Sequence, residues 1–300
     1  MPTVSVQDVI TAATYNGLQS RVETVLGVGS TDTGYGQVLS SNVVSANSVI
    51  TAEKMVNLKT DIDKCRAHQS GSLTNIATVE ITDRIGADDV VLSGGGTNSL
   101  KGYNDFISIV DSVESDKLLC DDTQASVEAA TSSTRTQDWN GTVIHTFQVT
   151  FFTDNARRHF FNTGGEVRFQ GQLSNGAGSK DADWAGLLSG IGIVSFAIHA
   201  TTSSGNGTPS AIGNFELTST HQTVFQKSGS AYNYDENLFR ITAKEVDSRI
   251  IEFDIRFQDD SGGTPDENVT GTLTSTITQR RASGIYVSVP SPTYSNTVEL

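Results

Sequence analysis

Cysteine is almost missing from this 300-residue chain: only Cys65 and Cys120 occur, far apart and without metal-site spacing. A disulfide framework is not expected, and Cys65, at an apolar helical position, reads as a buried thiol compatible with a reducing cytoplasm. Basic charge is scarce as well. Twenty Lys and Arg face 34 Asp and Glu, a formal net charge of −14 with a pI near 4.6. Basic clusters such as Arg280-Arg281 are only two residues long, so the positive footprint that nucleic-acid binding requires is lacking and no nucleic-acid partner is expected. Self-repulsion instead favours solubility of the free subunit. No stretch approaches the ~18 apolar residues of a membrane span. Met1-Pro2-Thr3-Val4 is not a basic region followed by an apolar run, so neither signal peptide nor membrane association is expected.

Charged residues make up 18% of the chain, below the ~25% usual in globular proteins. Ser, Thr, Asn and Gly fill the gap. Thr packs well on a pleated surface and Gly and Asn accept turn angles, so the profile suits β-sheets joined by polar turns. Virion proteins, secreted adhesins and carbohydrate-binding modules share it. The length favours one large β domain with a smaller module.

Helical periodicity is strong only in the first 71 residues. After Thr11, Tyr15, Leu18, Val22, Val25 and Leu26 fall on one stripe, and Gly27 and Gly29 end it. After Thr51, Met55, Leu58, Ile62 and Cys65 form a second stripe, with Gly71 past its end. Helices are expected over 12–26 and 52–67, packed on each other and on a further surface, another subunit being one option. Residues 72–138 form an unassigned connecting region. Within it, 75–81 and 88–92 suit strands, 105–113 fits either period, and 114–137 reads as helix or loop. From Trp139 the pattern is β. His145, Phe147, Val149 and Phe151 alternate within an expected strand over 143–152. Short helices are expected over 154–160 and 181–189, the second burying Trp184, Leu187 and Leu188. Further strands are expected over 166–170, 193–201, 213–220, 222–226, 238–244, 249–258, 268–279 and 285–289. The fold class is therefore mainly β with α: a small helical attachment or oligomerisation module over 1–71, then a β-sandwich-like domain over 139–289 with two short helices. Residues 290–300 read as a polar C-terminal tail.

The five histidines, His68, His145, His159, His199 and His221, are the first candidates for catalysis or metal binding. Neither His-x-His nor HExxH occurs, and His145 and His199 fit strand alternation. There is no Gly-x-Ser-x-Gly elbow, and Gly94-Gly95-Gly96 lacks the Lys and Ser/Thr of a phosphate loop. Asp259-Asp260 and Asp266-Glu267 place four carboxylates in one Gly-rich loop, which is either a solvated acidic turn or a calcium clip of no EF-hand spacing. Phe160-Phe161 before Asn162-Thr163-Gly164-Gly165 either anchors a helix in the core or forms a ligand-stacking platform. No catalytic, metal or cofactor-binding residue is assigned, and no cofactor is expected.

Several segments nevertheless carry a resemblance. Ala13-Thr14-Tyr15-Asn16, Val25-Leu26-Gly27 and Gly34-Tyr35-Gly36-Gln37 lie in the first 70 residues. Val149-Thr150-Phe151, Phe160 through Phe169, Asp183-Trp184, Ser210-Ala211-Ile212-Gly213, Asp266-Glu267-Asn268-Val269 and Gly271-Thr272-Leu273-Thr274-Ser275 lie in 139–285. In this order the chain resembles virion structural proteins, tail-associated or fibre-like, of tailed phages infecting marine cyanobacteria. The resemblance implies a non-enzymatic component of the tail, neck or baseplate region, assembled in the host cytoplasm. Its partners would be copies of itself and neighbouring virion proteins. A fibre module binding a host surface receptor or glycan and a capsid decoration protein are the alternatives.

Overall fold

The computed structural model describes residues 10–74, 103–229, 233–261 and 267–299. The expected strands at 75–81 and 88–92 and the Gly94-Gly95-Gly96 turn fall outside them. In chain order the elements are α1 (Ala12–Leu26), α2 (Ala52–Ser70), α3 (Tyr103–Ser115), β1 (Ala125–Arg135), β2 (Gly141–Thr150), α4 (Asp154–Asn162) and β3 (Glu166–Ser174). There follow α5 (Ser179–Ile191), β4 (Val194–Phe196), β5 (Thr201–Ser203), β6 (Thr208–Pro209), β7 (Gln222–Ser228), β8 (Leu238–Asp247), β9 (Ile250–Asp259), β10 (Thr272–Ala282) and β11 (Thr293–Glu299). They fall into two compact units. One takes the described residues up to 126 with 158–163 and 282–289; the other takes 127–157, 164–281 and 290–299.

The first unit is built on α1, α2 and α3. Thr11 and Thr51 cap their helices by accepting from the N–H of Thr14 and Lys54. Gly71 closes α2 in the left-handed region, as expected. Gly27 closes α1 differently, with an extended backbone, and glycine is needed there because a Cβ would lie 2.7 Å from Glu23 O. The stripes of α1 and α2 are buried against α3, whose Tyr103, Phe106, Val110 and Val113 have no exposed surface. The segment that fitted either period is thus this third helix. It also takes up the apolar faces left open for another subunit. Tyr103 Oη donates to Thr14 O and Tyr15 Oη to Lys54 O, while Arg21 pairs with Asp111 and Glu114. Neither cysteine is in a disulfide, and Cys65 is fully buried. Among the described residues no helix is long and apolar enough to cross a membrane.

The second unit contains two antiparallel sheets, ordered β1-β10-β3-β4-β5 and β11-β2-β9-β8-β7-β6. Period-two alternation sends Val143, His145, Phe147 and Val149 of β2 inward beside Phe257, Ile255, Phe253 and Ile251 of β9. Phe253 meets Phe169 of β3 at 4.8 Å and Phe196 of β4 at 5.1 Å between ring centroids, which joins the inner faces of the sheets. On the β3 side lies α5, with Trp184, Leu188 and Ile191 buried; Leu187 is only half-buried, contrary to expectation. The fold class is the expected one, mainly β with α, a helical N-terminal region preceding a β-sandwich-like domain.

Individual elements differ from expectation. Residues 125–135, expected as helix or loop, form β1. Its Ala, Ser and Thr side chains suit a half-exposed edge, where large apolar residues are not needed. The expected polar tail pairs with β2 as β11, its backbone supplying the ladder whatever its side chains. The expected strand over 213–220 is instead a 3-10 turn at Asn214–Glu216, because the Glu216 carboxylate captures the Gly213 N–H and Gln222 that of Thr218. The segment 285–289 forms no strand, only a bridge between Ser283 and Ser288. The segment 193–201 is broken by a turn into β4 and β5.

Leu58 is completely buried among the three helices. Leu58→Ala should lower unfolding free energy by about 2–5 kcal/mol through lost transfer energy and the cavity left behind. Urea unfolding of the two proteins checks this, and a change within experimental error would contradict the three-helix core.

Candidate functional site

Three polar arrangements and one apolar surface stand out. The first arrangement reaches between residues some 130 positions apart, all in the helical unit. Between α1 and α2 the chain runs from 27 to 51 without regular structure, so its carbonyls need partners. The end of α4 supplies them. Arg158 donates to Thr33 O and Val28 O, His159 Nε2 donates to Val28 O at 2.9 Å, and Asn162 Nδ2 reaches Thr31 O, Thr33 O and Gly34 O. Gly36 (φ 71°) lies against the His159 ring, where a Cβ would come within 2.2 Å of Nδ1. Burial, reinforced by the Arg158 charge, depresses the His159 pKa despite its bond to Val28. Next along the loop, buried Asp61 accepts from the N–H groups of Ser40 and Ser41, and Asn16 bonds both backbone groups of Val44. Phe160 and Phe161 are fully buried and stacked edge-to-face at 5.0 Å, so they anchor α4 and are not an open ligand platform.

The same loop carries the apolar surface. Val28 and Val38 are 59% and 87% exposed and, with Leu39, Gly27 and Ser20, line an open cleft of about 380 Å³. Val43 and Val49, further along, are exposed too.

The second arrangement lies on the outer face of the six-stranded sheet. His221 Nε2 sits 3.4 Å from Glu252 Oε1 and 3.6 Å from Asp254 Oδ2, and its Nδ1 faces Thr242 Oγ1 at 3.1 Å. The donor atoms lie within 4.8 Å of one another, a spacing open to a metal ion. Yet Lys244 already pairs with Glu252 at 2.7 Å and Arg256 with Asp254 at 3.1 Å. Burial opposes the charge on Glu252, but Lys244 and Gln148 outweigh it and hold the carboxyl below its ordinary value. Two anions and two cations balance, so a divalent ion would have to displace bound cations. Sequence reading missed this trio because His221 lies 31 and 33 positions before Glu252 and Asp254 and meets them only through the β7–β8–β9 register.

The third arrangement removes part of the expected acidic loop. Asp259 is buried and pairs with Lys180 at 2.8 Å, so it does not join a solvent-facing calcium clip; Asp260 and Glu267 are exposed, and Asp266 falls outside the described residues. Asn237, with its amide turned to satisfy both ends, donates to Asp259 Oδ1 at 2.8 Å and accepts from Trp184 Nε1 at 3.2 Å. Of the remaining histidines, His68 packs edge-on to Tyr35, His199 faces Glu216, and His145 Nδ1 meets Ser275 Oγ across the sandwich at 2.8 Å.

The chain is therefore, by architecture, a two-sheet antiparallel β protein carrying a three-helix unit. No protein-family model, curated protein or solved structure matches it.

Asn162→Ala removes the donor that serves three loop carbonyls and should cost about 1–3 kcal/mol. Limited proteolysis should then cut within 28–36 faster than in the wild type, and unchanged cutting would contradict the role given to Asn162. His145 supplies a pH dependence. Burial, with the Arg135 charge adding, pushes its pKa down to about 4 from 6.5. The unfolded chain binds the proton first as pH falls, so stability should drop between pH 6.5 and about 4 by up to about 3 kcal/mol. His145→Gln should flatten that part of the profile in urea unfolding measured from pH 7 to 4.5.

Proposed function

We propose that this chain is a non-enzymatic structural component of a tailed phage virion, in the tail, neck or baseplate region, assembling as a homo-oligomer. The observation that carries the reading is the exposed apolar surface of Val28 and Val38 around the cleft of the helical unit. The helix stripes are consumed inside the unit, so attachment falls to this loop rather than to the helices. The clasp from α4 holds the 28–34 part of the loop in one shape, which lowers the entropy cost of docking. The order of sequence segments resembling virion proteins of marine cyanobacterial phages supports the same reading. Net charge of −14 supports a protein neighbour over DNA. A stable subunit contact of this kind buries more than ~1,000 Å².

Val38→Asp should leave the unfolding free energy within about 0.5 kcal/mol, since the side chain is 87% exposed. Its incorporation into particles, read by mass spectrometry of virions purified after expression during infection, should fall about tenfold or more, equivalent to ~1.4 kcal/mol of contact energy. Incorporation equal to wild type would sink the reading.

A second reading, receptor or glycan binding, has one observation of its own. Arg157 bonds Asn214, Glu245 and the Asp247 carbonyl, and Phe151 N–H bonds Arg249 O. These bonds draw together the segments that carry exposed Phe152, Phe215 and Val246. Retention on host polysaccharide that is lost in Phe152→Ser would favour it.

A further inference from the structure

We infer that Lys180 and Asn237 condense into an intramolecular isopeptide bond, with Asp259 as the proton carrier. This goes beyond the assembly role and does not depend on it. Lys180 lies in the first turn of α5, and Asn237 immediately precedes β8. Asp259 ends β9 between them, one carboxylate oxygen on each partner: Oδ2 is 2.8 Å from Lys180 Nζ and Oδ1 is 2.8 Å from the Asn237 amide nitrogen. Ser261 assists both, its carbonyl accepting from Nζ at 3.3 Å and its hydroxyl oxygen from the Asn237 amide at 3.0 Å. Trp184 Nε1 donates to the Asn237 carbonyl oxygen at 3.2 Å. Lys180, Asn237, Asp259 and Trp184 are all buried, with Asn237 and Trp184 at 0% exposure.

The surroundings hold these groups still. Asp181, the next residue, accepts from the N–H groups of Ala177, Gly178 and Thr270 and from the Thr270 hydroxyl, which fixes the start of α5. Burial opposes its charge, yet these donors keep its carboxyl below the ordinary range. Ser179 Oγ meets Tyr234 Oη at 2.8 Å, and the Asn237 N–H bonds Tyr234 O, so the two reacting segments are tied together a second time. A salt bridge as deeply buried as this one is poorly explained by stability, because apolar residues of equal volume do as well or better. As a reaction site the same arrangement has a reason for each part.

The step balances without oxidant or co-reactant. In a site sealed from water, one proton passing from the ammonium to Asp259 neutralises both groups and frees the Nζ lone pair. Nζ attacks Cγ of Asn237; a C–N bond forms and the carbonyl electrons move onto Oδ1, where the Trp184 N–H stabilises the developing charge. The Cγ–Nδ2 bond then breaks. Two protons from Nζ reach the departing nitrogen through Asp259, which ends as the carboxylate it began as. Ammonium and amide become a secondary amide and ammonium, with no change in oxidation state. Holding the partners together supplies the entropy that a bimolecular aminolysis would lack. The product joins α5 to β8 by a link no reductant can cut, in a chain whose two cysteines form no disulfide.

The test is denaturing mass spectrometry of the purified full-length protein with tryptic mapping. The expected result is a chain lighter by one ammonia. Trypsin should fail to cut after Lys180, leaving 169–227 joined to 228–240. A full-mass chain that yields peptides 169–180 and 228–240 separately overturns the inference. So does an ammonia loss confined to one peptide, which is a succinimide at an Asn-Gly pair such as Asn175-Gly176. A link from Lys180 to 257–280, with water lost instead, also overturns it by placing the bond on Asp259. Asp259→Asn should restore full mass and separate peptides; joining at wild-type yield would remove Asp259 from the reaction. If that variant does not fold, Trp184→Phe keeps the ring and removes the donor. It should then accumulate the joined peptide more slowly, and an unchanged rate overturns the role of the indole.

Discussion

The clasp between the end of α4 and the loop after α1 is the contact on which the helical unit depends. A loop of this length has many backbone carbonyls and few local ways to satisfy them. Arg158, His159 and Asn162 supply donors from a distant part of the chain, and all three end in planar groups that fix direction as well as distance. Gly36 lets the His159 ring approach the loop backbone. The loop can then present Val28 and Val38 to solvent in a defined arrangement.

The sandwich unit is organised by a different constraint, the two-residue period of its strands. One face of each central strand meets the other sheet through Phe, Ile and Val, and the other face of β8 and β9 carries the ion pairs Lys244–Glu252 and Arg256–Asp254. Pairing each acid with a cation lets a half-buried face tolerate many polar groups. His145 departs from the pattern, since it is a polar ring on the inner face. Its bond to Ser275 spans the two sheets, and burial keeps it neutral over the physiological range. The buried Lys180–Asp259–Asn237 group is the other polar intrusion, and it lies where three segments distant in sequence converge.

Legibility in the sequence followed the strength of local pattern. The stripes of α1 and α2, the alternation of β2 and the places of β8 and β9 were readable because each element buries one regular face. Edge strands β1 and β11 were not, since an edge is held by ladder hydrogen bonds and leaves Ala, Ser and Thr in place of a marked apolar face. The false strand at 213–220 had suitable residues but lost its backbone donors to Glu216 and Gln222. None of the three polar arrangements was legible, because each joins residues from separate elements whose register no local pattern encodes.

By itself, then, the sequence determined the class of the protein. Periodicity of 3.6 in the first 71 residues and of 2 beyond Trp139 dictates helices followed by β-structure, and the composition fixes a net charge of −14. Only the tertiary structure decided what the polar residues do. Asp259 looks like one member of a solvated acidic turn until β9 brings it against Lys180, and Asn162 looks like a turn residue until α4 turns it toward the 31–34 carbonyls. Hydrophobic burial is additive and repeats along the chain, so it leaves a local signature. Hydrogen bonds and ion pairs need one partner at one distance and angle, and that partner is supplied by folding.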